Sequence, residues 1–149
     1  MPEETERFRP WIQVAAFCQT ALKETTGSLS IIRIIDRITI PALMLNTQPT
    51  LPITLAVVIK SGFMRGSAKI GIRQNNPSGK TLPPIEASAL FEGDDRGIEL
   101  IINMGLQVTE EGLYWFDIFV NSELFTRVPL RVVSQHIAVP GTPQAPPAG

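Results

Sequence analysis

Two alternating runs near the C-terminal end restrict this chain more than any other feature it carries. In 114–120 every second residue is large and apolar (Tyr114, Phe116, Ile118, Val120), and Leu124, Val128 and Leu130 repeat the pattern after a short interruption. A period of two is that of a strand with one buried face. Burying that face fixes the register, because a slip of one residue turns the whole apolar set outward. The register that keeps the row intact sets Tyr114 opposite Leu130, Phe116 opposite Val128, Ile118 opposite Thr126 and Val120 opposite Leu124, with Asn121, Ser122 and Glu123 as the loop. The other face then pairs Trp115 with Pro129, Asp117 with Arg127 and Phe119 with Phe125.

The same reading extends upstream. Strands are expected near 11–19, 28–40, 53–60, 67–73, 85–91, 97–104, 113–120 and 124–133, with Ile53, Leu55, Val57 and Ile59 and then Ala68, Ile70 and Ile72 as alternating apolar sets. Leu29 to Ile35 is apolar on both parities before Arg33, Asp36 and Arg37 intrude, which predicts a central strand covered on two sides for part of its length. Pro41, Pro49 and Pro52 predict a loop over 41–52. Isoleucine and valine dominate the apolar residues, and 11 Gly and 13 Pro punctuate the chain. The fold class is therefore all-β: a two-sheet antiparallel β-sandwich of seven or eight strands. Residues 1–9 form a charged, flexible lead-in, 10–136 the sandwich, and 137–149 a Pro-rich tail that has too little apolar content to pack.

Charge and cysteine content exclude several classes. Thirteen Lys and Arg against 14 Asp and Glu leave a net charge of -1, so no broad basic field is available for nucleic acid or an anionic membrane. Cys18 is the single cysteine and His136 the single histidine, so neither an internal disulfide nor the usual Cys and His zinc site can form. The apolar stretch 12–18 follows Glu3, Glu4, Glu6 and Pro10 and does not read as a signal peptide. A cytoplasmic location is expected.

The segments Cys18–Ala21, Gly27–Pro41, Gly112–Asn121 and Val128–Val133 together resemble a bacterial family of small β-sandwich proteins of unknown function. The resemblance implies a sandwich in a cytosolic bacterial setting, and no activity. In addition Glu110, Gly112 and Tyr114 resemble the tyrosine corner of immunoglobulin-like domains, which implies a Tyr114 hydroxyl bonded to nearby backbone and an immunoglobulin-like architecture. Phe116 stands where the immunoglobulin cysteine would be.

No chemical constellation survives a test of spacing. Ser78-Gly79-Lys80-Thr81 resembles the end of a phosphate loop, but position 74 is Gln and Leu82-Pro83-Pro84 prevents a following helix; a turn is expected. Cys18 with His136 is the one available nucleophile and base pair, and Cys18 in an apolar strand reads better as a small hydrophobe. Glu92-Gly93-Asp94-Asp95 lacks the oxygen count of a calcium loop. No cofactor, metal or enzymatic activity is expected. The tail spacing Pro140-x-x-Pro143 suits a polyproline reader or a simple spacer.

What remains is surface. Trp115, Phe119, Phe125 and Pro129 around Asp117 and Arg127 would form an apolar strip, the mark of an interface, unless Phe8, Trp11, Ile137 or Val139 covers it. The expected function is a non-catalytic protein-interaction or assembly module, self-association included. The competing expectation is a small-ligand or carbohydrate site on loops 62–66 and 92–96, using Phe63, Met64 and Arg65.

Overall fold

The computed structural model describes residues 8–135. His136, the Pro-rich tail and most of the charged lead-in fall outside the described residues.

Seven strands and one helical turn follow in order: β1 (Trp11–Lys23), β2 (Leu29–Ile35), β3 (Arg37–Pro41), α1 (Ala42–Leu45), β4 (Thr50–Asn75), β5 (Ile85–Gln107), β6 (Gly112–Val120) and β7 (Glu123–Gln135). The two long strands, β4 and β5, belong to both layers of an immunoglobulin-like sandwich. The first half of β4 pairs with β1 through Ile59 and Ile12 and through Leu55 and Phe17, and β1 pairs with β2. The second half pairs with β6 through Ile72 and Ile118, β6 with β7, and β7 with β3. β5 follows β4 antiparallel along both halves. All pairings are antiparallel save that of β3 with β7.

β4 changes layers between Lys60 and Arg65, where its register to β5 slips. Bulges of this kind bend a strand and let it leave one sheet for the next. Gly62 sits in the bend with φ +56°, and a Cβ there would overlap the Phe8 carbonyl and lie 2.8 Å from that of Arg9. The Phe63 N–H donates to the Phe8 carbonyl at 2.8 Å, tying the chain start to the bend. The two strands expected at 53–60 and 67–73 are thus one, as are those at 85–91 and 97–104.

The core lies between the layers. Leu55, Val57 and Ile59 face Ile70, Ile72, Phe116, Ile118 and Leu130, and the rings of Phe17 and Phe116 meet edge to face with centroids 4.7 Å apart.

Three expectations are corrected. Leu29–Ile35 is not central: the expected 28–40 strand breaks at Asp36, and β2 is an edge with Ile32 and Ile34 44% and 68% exposed. Its double apolarity has another cause. The β1–β2 hairpin folds over the outer side of the first layer, where Ala21, Leu29 and Ile31 pack on Cys18, Ala56 and Ile101, and Lys23 Nζ lies 3.7 Å from Glu99. Second, 41–52 is not wholly loop. Pro41, with φ -59°, opens the single turn α1, and β4 begins at Thr50. Third, the hairpin register holds from Tyr114 and Leu130 to Ile118 and Thr126, then shifts, so that Phe119 faces Leu124 and Val120 faces Glu123. Asn121 and Ser122, at φ +49° and +70°, form a two-residue loop whose left-handed residues suit the strand twist. The residue left over is Phe125, which bulges and packs against the core.

The turn leading into β6 is held by one hydroxyl. Tyr114, fully buried, donates to the Glu110 carbonyl at 2.6 Å and accepts from the N–H groups of Thr109 and Glu110 at 3.1 and 3.2 Å. Tyr114→Phe is expected to cost about 1–2 kcal/mol, since it strands buried backbone groups while leaving the ring in place. A urea titration with an unchanged slope measures it.

Candidate protein-interaction face

The outer face of the second layer is built by alternation. Ile72, Phe116, Ile118, Val128 and Leu130 point inward, so Arg73, Trp115, Asp117, Phe119, Arg127 and Pro129 point outward. The structure brings together five of the six residues expected to form the strip. Phe125 is the exception; the bulge turns it inward and Leu124, 48% exposed, takes its place.

Asp117 is the centre of the face and 1% exposed. Arg127 Nε donates to its Oδ1 at 2.7 Å, Arg73 Nη2 to its Oδ2 at 3.0 Å, and Asn75 Nδ2 to its Oδ2 at 2.9 Å. Burial alone raises this carboxyl's pKa; the bonds from Arg127, Arg73 and Asn75, with the charge of Arg127, outweigh it and hold the group below the usual carboxylate range. Arg127 is shifted upward by the same hydrogen bond and charge. Each guanidinium also lies over a ring: Arg73 4.8 Å from the centroid of Phe119, Arg127 5.8 Å from that of Trp115. The strip is therefore no plain apolar patch. Arg73 and Asn75 were missing from it because sequence parity marks Arg73 as outward but cannot say which strand stands beside it.

Further cations surround this cluster. Arg131 extends the β7 row, and Arg37 of β3 stands directly beside it in parallel register. Lys69 Nζ lies 3.4 Å from Glu86, and with Arg73, Phe119 and Gly71 they line a depression of about 290 Å³. Phe8 and Trp11 meet each other at 6.5 Å beside the Gly62 bend, and the lead-in reaches the hairpin tip, where Arg9 pairs with Glu123 and Trp11 lies beside Leu124. Ile137 and Val139 lie outside the described residues.

The other candidates are placed as follows. Segments 62–66 and 92–96 are strand, laddered to each other through Gly62 and Asp94 and through Arg65 and Glu92. Phe63 is exposed, Met64 packs against the core, and Arg65 donates to the Glu92 carbonyl at 2.7 Å. Glu92 pairs with Arg96 and Asp94 with Arg65. Cys18 is buried with Sγ 3.8 Å from the Thr54 carbonyl, and burial pushes its thiol pKa up, the reverse of an activated nucleophile. Residues 76–80 form a turn closed by Asn76 N–H to Lys80 carbonyl at 2.8 Å.

Residues 13–133 match the model of a family of unknown function, DUF6941. The chain belongs to that family. No curated protein matches this DUF6941 chain. Among solved structures it is similar to the CARDB domain of a Pyrococcus furiosus protein in complex with di-metal ions, at 13% identity and a TM-score of 0.40, over 83% of this chain and 90% of that one. It is similar also to an immunoglobulin-like protein of Pseudomonas aeruginosa, at 13% identity and a TM-score of 0.42, over 85% and 98% of the two chains.

Proposed function

We propose that this DUF6941 protein is a non-catalytic interaction module of a reducing, cytoplasmic compartment that docks an acidic segment of a partner protein on the outer face of β4, β6, β7 and β3. The observation that carries this reading is the charge of the face. Arg37, Lys69, Arg73, Arg127 and Arg131 stand there against Asp117 and Glu86, an excess of three positive charges on a chain whose net charge is -1. Arg37 and Arg131 are side by side, a destabilising arrangement for like charges, and neither has an ion pair among the described residues. Carboxylates supplied by a partner offset both the charge excess and the Arg37–Arg131 repulsion, and guanidinium forks favour them.

The alternatives fit less well. A symmetric dimer across this face sets arginine against arginine. Single-stranded nucleic acid needs free ring faces for stacking, and a guanidinium already lies over Trp115 and over Phe119.

Selection of displayed peptides by the full chain tests the proposal. Enriched peptides are expected to be rich in Asp and Glu, to weaken as salt rises, and to lose affinity at least about tenfold, or 1.4 kcal/mol, with Arg37→Glu/Arg131→Glu. Enrichment without acidic residues, or affinity unchanged in the double variant, overturns it.

A further inference from the structure

A second site lies at the end of the sandwich, away from the charged face. Between β1, β3, α1 and the start of β4 there is a cavity of about 770 Å³, within the size range of small-molecule pockets. Its walls are Phe17, Ile40, Met44, Leu51, Met104 and Leu130, among others, and no Lys, Arg, His, Asp or Glu among the described residues lines it. Pro41 and Pro52 line the space; β3 pairs with β7 in one layer, while Thr50 to Ile53 of β4 pair with β5 and Thr54 pairs also with Cys18 of β1 in the other.

The polar side chains of the lining are few and uncharged: Gln19, Thr39, Thr54 and Asn103, with the Cys18 thiol. Cys18 Sγ and the Thr54 carbonyl engage each other at 3.8 Å, and Thr54 Oγ1 donates to Asn103 Oδ1 at 2.9 Å. Asn103 stands at the exposed rim of the cavity, where its amide N–H groups are open to solvent and to an entering ligand. The geometry points to a binding site for an uncharged, largely apolar small molecule whose one hydrogen-bond acceptor, a carbonyl or ether oxygen, meets Asn103. A carboxylate or ammonium ligand is disfavoured, because it would be desolvated in a wall that offers no counter-charge.

The test uses the full chain and two fluorescent probes, uncharged N-phenyl-1-naphthylamine and anionic anilinonaphthalene sulfonate. The uncharged probe is expected to bind saturably at one site, at least about tenfold tighter than the anionic one. Its occupancy should slow maleimide modification of Cys18, which lines the cavity. Met44→Trp, on the half-buried helical turn, should weaken binding at least tenfold with an unchanged melting temperature. Asn103→Trp, at an exposed wall position, is the second filler should the first not fold. Ile34→Asp, which removes the most exposed isoleucine of β2, should leave the probe unaffected. The inference fails if no saturable binding occurs, if the folded filler variants bind like the wild type, if Cys18 reacts at the same rate with probe present, if the two probes bind alike, or if Ile34→Asp abolishes binding.

Discussion

Phe116→Ala is expected to lower the unfolding free energy by about 3–5 kcal/mol, a large share of the 5–15 kcal/mol typical of a domain. Phe116 is 1% exposed, and its ring takes the edge contact of Phe17 across the gap between layers. The truncation removes apolar contacts from both layers at once and also leaves a void. Strands β1 and β6 reach it from opposite sheets, each fixed by its own ladder, so the walls cannot close over the space. Phe116→Leu should retain most of the stability, because volume is nearly kept. Urea midpoints for the three proteins check the order; a loss for Phe116→Ala below about 1.5 kcal/mol would mean that the two sheets are packed far more loosely than these distances indicate.

What was legible in the sequence was whatever a period of two can carry. The pairing of Trp115 with Pro129 and of Asp117 with Arg127 follows from burying Phe116 and Ile118, and the structure has both pairs. Periodicity says nothing about a strand's neighbours or ends, and the misreadings have that origin. Leu29–Ile35 is apolar on both parities because one set lies on Cys18 and Ala56 and the other faces solvent, a distribution that the same letters would give a central strand. Gly62 and Gly66 look like loop punctuation, yet they are the bend by which β4 passes from one layer to the other. A regular register extended to the tip places Phe125 on the outer face, whereas a two-residue turn at Asn121 and Ser122 forces a bulge and rotates it inward. The cavity could not be foreseen, since its walls come from seven elements spread from β1 to β7.

Asp117→Ala is expected to cost about 2–3 kcal/mol at neutral pH and to change the acid limb of the stability curve. The carboxylate accepts three bonds from a 1% exposed position, and their loss sets the scale. The loss stays moderate because the heads of Arg73 and Arg127, 38% and 53% exposed, can turn to water once the acid is gone. Removing both arginines instead leaves the buried charge with Asn75 alone and should be the more damaging change. The sign of the pH effect follows from linkage. The folded pKa of Asp117 lies below its unfolded value of about 3.9, so its stabilisation is complete above that value and disappears as pH falls through the folded pKa. Wild type should therefore lose stability below about pH 4 more steeply than Asp117→Asn, and the two curves should converge in acid. Parallel curves from pH 6 to pH 2.5 would show that the carboxyl pKa is alike in the folded and unfolded chains, and that the arginines above Asp117 are held by their rings and not by its charge. The same carboxylate fixes where the two guanidinium edges point, so peptide affinity should fall in Asp117→Ala although the substitution adds positive charge to the face. A surface that attracted acidic segments by net charge alone would bind them more tightly in that variant.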